Sequence, residues 1–307
     1  MPSKESDEIK VLYTGWVNAL VANPDMSIEE TRRMFEHWGD VTGEPGGIDY
    51  TEVDTNGIQA MWAVPKDSNK ECVILCIHGG GYSGGSMYSH RKLFGHVAKA
   101  VGCSALIVHY RRTPEATHPG PVNDCATAYE WLLKQGYKPE NIAITGDSAG
   151  GALAITTMLV AREKGLPLPA ASMPISPWVD MEATGDTIDA HADKDCFVKR
   201  FLVEHMAEVL LGESGSKKDP LANPLYADFS GLPPLFIQVG GDEALLDDSR
   251  RLAKLAQEAG VDVNFKIYPE MQHVFHFLVG NAPEGDQAVQ DMADWVRPKL
   301  GLASAHP

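Results

Sequence analysis

The sequence lacks any apolar run near the ~20 residues that a membrane-spanning helix needs. Its opening, MPSKESDEIK, is polar and charged where a secretory leader would carry an apolar stretch, so the expected compartment is the cytoplasm. Basic residues are scarce: 26 Lys and Arg stand against 42 Asp and Glu, a formal charge of -16. The field of such a chain repels polyanions. That excludes nucleic acid and an anionic membrane surface as main partners and favours a small, neutral molecule. Cysteines are few and odd in number, and four of the five (Cys72, Cys76, Cys103, Cys125 and Cys196) sit in apolar or helical segments. They read as reduced thiols rather than a disulfide framework. No H-E-x-x-H run or Cys/His cluster is present, so no metal and no cofactor is expected.

What the chain has is enough apolar residue, 44% of 307, to bury a full core. Two helical patterns open it, Glu5 to Val21 and Ser27 to Trp38, the second introduced by an S-x-x-E capping box at Ser27 and Glu30. Two β-like runs follow, Tyr50 to Asp54 and Ile58 to Val64, joined by a hairpin-forming Asn56-Gly57. From Cys72 onward unbroken apolar runs alternate with helical ones, the pattern of parallel strands covered on both faces. The predicted strands are Cys72 to Ile77, Ala105 to Tyr110, Ile142 to Thr145, Ala170 to Ile175, Leu235 to Val239 and Val263 to Tyr268. Helices are predicted near Lys92 to Ala100, Val122 to Lys134, Ala149 to Lys164, Leu246 to Ala259 and Ala288 to Lys299. The fold class is α/β, a doubly wound and mostly parallel sheet with helices on both faces. Residues 178–232 interrupt the alternation and read as an insertion with one helix, Lys199 to Leu211.

The run Thr145-Gly146-Asp147-Ser148-Ala149-Gly150-Gly151 places G-x-S-x-G between a strand and a helix. Such a turn forces its middle residue into a strained conformation and exposes it at the sheet's C-terminal edge, at the positive end of a helix. Ser148 is therefore the candidate nucleophile. His78-Gly79-Gly80-Gly81 follows a strand, and its bare backbone can aim N–H donors at a developing negative oxygen. Gly79, Gly81 and Gly84 also spell G-x-G-x-x-G, but Val108-His109-Tyr110-Arg111-Arg112 offers no acid to hold a ribose, which argues against a dinucleotide site. A general base belongs on the loop after the last strand. His273 stands there, with His276 its local competitor. The acid that orients it belongs after the preceding strand, where position admits Asp242 or Glu243. Asp247 and Asp248 read as charges complementing a helix N-terminus. Asp147 suits either a turn or an organising role toward a cap.

H-G-G-G, G-D-S-A-G-G, the Tyr110-Arg111-x-x-Pro114-Glu115 segment and the late D-E-x-L-L-D-D and H-V-F-H runs resemble, in order and spacing, the hormone-sensitive-lipase-like esterases. The resemblance covers most of the chain from Cys72 onward and implies the α/β-hydrolase fold with a helical cap. It implies N-terminal cap helices over 1–47, a core over 48–177, a cap insertion over 178–232 and the rest of the core over 233–307. It places the oxyanion donors on Gly80, Gly81 and Ala149, and by ungapped counting from Pro233-Pro234 it favours Glu243 over Asp242. It also allows a homodimer. Arg112-Thr113 and His118-Pro119 depart from the family pattern near the cap and entrance.

The expected activity is hydrolysis of small, neutral, short-acyl carboxylic esters through an acyl-enzyme formed on Ser148. A lactone hydrolase of the monoterpene ε-lactone type would use the same residues and differ only in its pocket, for which Trp178, Phe197, Phe201 and Met206 are candidate lining. A binding protein on the same scaffold would lack a triad member, whereas a serine, an acid and a histidine are all present here.

Overall fold

Asn56 and Gly57 both adopt positive φ (66° and 90°), the backbone a two-residue hairpin turn requires. They join β1 (Ile48–Asp54) to β2 (Gln59–Pro65) as an antiparallel pair. The computed structural model, which describes residues 2–303, continues that pair into one eight-stranded sheet. Its remaining strands are β3 (Asn69–Ile77), β4 (Cys103–Val108), β5 (Ile142–Asp147), β6 (Ala171–Ile175), β7 (Leu235–Gly240) and β8 (Val263–Tyr268). The order is β1-β2-β4-β3-β5-β6-β7-β8, antiparallel as far as β2–β4 and parallel from β4 onward.

Strands β4, β5, β6 and β7 are buried at every position, which explains their unbroken apolar sequence, whereas β1 at the edge has no buried residue. Nine α-helices are found among the described residues: α1 (Asp7–Ala22), α2 (Ile28–Phe35), α3 (Arg91–Val101), α4 (Gly120–Lys134), α5 (Ala149–Glu163), α6 (Thr187–Ala190), α7 (Arg200–Leu211), α8 (Leu246–Glu258) and α9 (Pro283–Val296). The thirteen residues from Ala149 to Ala161 of α5 are all buried, so this helix is apolar on every side and sits inside the fold behind Ser148.

Three elements have ends that differ from the sequence expectation for identifiable reasons. β4 starts at Cys103, two residues early, because Gly102 caps α3 in the left-handed conformation (φ 76°) and delivers the chain straight into the sheet; it also ends at Val108 rather than Tyr110. The last helix starts at Pro283 and stops at Val296. Proline suits a first helical position, and Pro298 bars continuation to Lys299. The second helix keeps its capping box, with Ser27 and Glu30 bonded reciprocally, but gives way after Phe35 to a 3-10 segment over Glu36–Val41.

α1 buries Ile9, Tyr13 and Trp16, an i, i+4, i+7 stripe. These rings meet Phe35, Trp38 and Phe197 in a cluster with centroid distances of 4.7 Å (Tyr13–Phe197), 5.0 Å (Trp16–Trp38) and 5.2 Å (Trp16–Phe35). Aromatic rings from the N-terminal helices and Phe197, between β6 and β7, thereby form one cluster. Phe35, Trp38 and Phe197 of this cluster line a cavity at the C-terminal edge of β5, the edge where ligands bind in open α/β folds.

Candidate active site

A single residue, Ser148, makes the whole turn from β5 into α5, with φ 54° and ψ −118°. For a residue with a Cβ this conformation costs about 1–3 kcal/mol and persists only where neighbours enforce it. The enforcement is visible: Ser148 N–H donates to Ile175 O at 2.9 Å, and Ser148 O accepts from Trp178 N–H at 3.0 Å. Side chains at either flanking glycine would collide with backbone, Gly146 with the carbonyls of Gly150 and Ile77, and Gly150 with those of Ile77 and His78. Ser148 lines a cavity together with Gly80, Gly81, Asp147 and His273.

The glycine loop after β3 reaches that cavity by a reversal at Gly80 (φ 108°), whose carbonyl accepts from Ser83 and Gly84 at 3.1 and 2.8 Å. Asp147 fixes the loop. Its Oδ1 accepts the Gly79 N–H at 3.1 Å, its Oδ2 lies 3.3 Å from His90 Nε2, and His90 Nδ1 is 2.8 Å from Ser89 Oγ. The buried carboxylate thus tethers the glycine loop to the Ser148 turn instead of merely completing that turn. Ala149 is the first residue of α5, where amides have no intrahelical acceptor and the helix dipole favours negative charge.

His273, on the loop after β8, has its Nδ1 2.8 Å from Glu243 Oε2, and both side chains are buried. Glu243 Oε1 accepts from Ser176 Oγ at 2.6 Å and from the Gly240 N–H. Asp242 is only half-buried and holds its loop through its amide, which donates to Met271 O at 3.1 Å; the imidazole's carboxylate partner is Glu243. Burial pushes the Glu243 carboxyl above its usual range, against the pull of His273, Ser176 and Gly240. Burial also opposes charge on His273, yet the Glu243 hydrogen bond and charge outweigh it, with Asp195 and Asp147 adding to them, and leave the imidazole above its ordinary value. His276 faces Gln238 Oε1 at 2.9 Å instead, and burial pulls its pKa down to about 3.

Several residues that support this arrangement carry no sequence signature. Ser176 (φ 44°) follows β6, and its hydroxyl oxygen also receives the Val274 N–H at 3.3 Å, so it joins the acid loop to the histidine loop. Tyr13 of α1 donates to the His273 carbonyl at 2.9 Å. Buried Asp195 accepts from Ala244 N–H, next to Glu243, and from Phe197 and Val198 N–H, each at 2.8 Å. Asp248, expected to serve the α8 dipole, instead accepts Val179 and Asp180 N–H at 3.0 Å from the start of the insertion. Its burial beside Asp180 raises its pKa to about 7. Of the expected lining residues, Trp178, Phe197 and Met206 reach the Ser148 cavity, whereas Phe201 is 51% exposed.

Known proteins share this architecture. The family described as alpha/beta hydrolase fold matches residues 74–277. An acetyl-hydrolase of Streptomyces hygroscopicus is 37% identical over 88% of both chains, and an esterase of Acinetobacter venetianus is 33% identical over 73% of this chain and 74% of its own. Among solved structures, an esterase from the bacterial hormone-sensitive lipase family superposes with a TM-score of 0.93 at 39% identity, covering 98% of this chain and all of that one. An esterase/lipase from an uncultured bacterium gives 0.90 at 35%, covering 97% and 99%. With matches of this extent, the chain belongs to the hormone-sensitive-lipase-like esterases of the α/β-hydrolase fold and is a serine carboxylesterase.

Proposed function

We propose that Ser148, His273 and Glu243 form the catalytic triad of an enzyme that hydrolyses neutral carboxylic esters of short acyl chains. The observation that carries this reading is the buried His273–Glu243 pair, 2.8 Å apart, whose histidine lines the same cavity as Ser148, Gly80 and Gly81. Glu243 holds the proton of His273 on Nδ1, which leaves Nε2 free to accept the Ser148 proton as the hydroxyl attacks the ester carbonyl. Charge then gathers on the carbonyl oxygen, where the amides of Gly80, Gly81 and Ala149 receive it; one such donor is worth about 3 kcal/mol in comparable enzymes. The imidazolium protonates the leaving alcohol. A water activated by the same histidine releases the acid from Ser148. In this account residues 2–47 and 178–232 are the cap that keeps bulk water away, closing over the core of 48–177 and 233–303, the remaining terminal residues of the expected cap and core lying outside the described residues.

The volume of the cavity supports short acyl chains. The cavity beside Ser148 holds about 40 Å³, and a single water needs roughly 10–15 Å³ measured the same way. The test is a p-nitrophenyl ester series from acetate to palmitate, run with Ser148→Ala and His273→Ala beside the wild type. Turnover confined to short chains and lost in both variants is expected. Opening of an ε-lactone without turnover of open-chain esters would instead make this a lactonase.

A further inference from the structure

A second cavity, of about 480 Å³, lies among α1, α2 and α7. It meets the Ser148 cavity at three shared wall residues, Phe35, Leu202 and Met206. Met206 stands directly against the glycine loop, since a methyl group on Gly81 would run into its Sδ. The inner cavity has about a twelfth of the outer one's volume. Ligand pockets usually measure about 300–1,000 Å³, so only the outer space is large enough to hold most of a substrate.

The chemistry of an acyl-enzyme decides which arm of the ester goes where. The acyl group stays bonded to Ser148 until water arrives, so its first atoms occupy the inner cavity and a short chain is held there entirely. The alcohol must depart before that water can enter, and so needs a path to the surface. The outer cavity offers one, rimmed by Val21 (64% exposed) and Phe201 (51% exposed). Its remaining walls are largely apolar, including Leu20, Met26 and Ile28, with polar groups at Thr31, Thr113 and His205. Leucine and methionine at the partition are side chains that can change rotamer to let an arm pass.

We propose that the substrates are acetyl or similarly short acyl esters of bulky, mainly apolar alcohols bearing a few polar groups. The alcohol sits in the outer cavity, and Phe35, Leu202 and Met206 sort the two arms. This deepens the Ser148 reading above and rests on it.

Two substrate series test it. Primary alkyl acetates from methyl to cyclohexylmethyl have leaving alcohols of similar reactivity, so differences among them report the alcohol's fit. The expected kcat/KM rises at least tenfold along that series and falls at least tenfold from p-nitrophenyl butyrate to octanoate. Thr31→Trp narrows the outer cavity and should cut the cyclohexylmethyl-to-methyl ratio at least tenfold; Val209→Trp serves the same purpose should the first variant not fold. Met206→Ala opens the partition and should raise the octanoate-to-acetate ratio at least fivefold. A wild-type optimum at octanoate with a flat acetate series, or unchanged ratios in a folded tryptophan variant, overturns the proposal while the Ser148 reading stands. Turnover of neither series overturns both.

Discussion

Replacing Glu243 by glutamine tests the geometry more sharply than truncating it, because the amide must choose between two incompatible neighbours. One carboxylate oxygen accepts from Gly240 N–H and Ser176 Oγ, and the other from His273 Nδ1. The serine hydroxyl can rotate to suit an amide, but the backbone N–H of Gly240 can only donate. Opposing it with the glutamine NH2 would bury two donors head to head at a penalty of about 1–3 kcal/mol. The glutamine oxygen therefore stays on Gly240 and its NH2 turns toward His273. Nδ1 must then accept, the ring proton moves to Nε2, and the base can no longer take the Ser148 proton. The expected loss is about 10³–10⁴-fold in kcat/KM, or roughly 4–5.5 kcal/mol, in line with the effect of the wrong tautomer in Ser-His-Asp enzymes. Initial rates on p-nitrophenyl acetate measure it, with circular dichroism verifying the fold and Asp242→Ala run in parallel. Retention of more than a tenth of wild-type activity in Glu243→Gln, or a larger loss in Asp242→Ala, would refute the reasoning.

Three further outcomes follow from the same contacts. The base must be neutral, and Glu243 holds the His273 pKa above 6.5, so the acidic limb of kcat/KM against pH should fall above that value; a limb at pH 5 would contradict the pairing. Ser176→Ala removes one of the donors to a buried carboxylate and should destabilise the fold by about 1.5–3 kcal/mol, read from urea denaturation; an unchanged midpoint would mean that the bond contributes nothing. Asp248, with its pKa raised to about 7 from an ordinary 3.8, keeps its proton in the folded state where the unfolded chain has lost it, so its contribution to stability falls as pH rises through that interval. Asp248→Asn should accordingly gain on the wild type between pH 5 and pH 8 in urea midpoint; an equal difference at both pH values, or a loss, would contradict the linkage.

The legible parts of this molecule are those written locally. The turn around Ser148 shows itself because a strand, a serine and a helix meet within seven residues, and the geometry forces glycine at Gly146 and Gly150. The hairpin at Asn56-Gly57 and the capping box at Ser27 are equally short-range. The acid was ambiguous for a related reason: Asp242 and Glu243 are neighbours in sequence, and only the loop's path decides which faces the imidazole. Ser176, Asp195 and Tyr13 could not be read at all. Their partners lie far away along the chain, at Glu243, Ala244 and His273, and a serine, an aspartate or a tyrosine that bonds to a distant group leaves no periodicity and no motif behind. Asp248 misled for the converse reason. Its place in the first turn of a helix fits a dipole role, and burial against Val179 and Asp180 is a tertiary fact.

The central claim is that Ser148 carries the acyl group. Rapid mixing of the enzyme with p-nitrophenyl acetate, acid quenching and peptide mass spectrometry should find one acetyl group on the peptide containing Ser148, formed in step with a burst of p-nitrophenol and absent from Ser148→Ala. Full turnover by Ser148→Ala, or a burst whose acetyl group sits on another residue, would contradict the account.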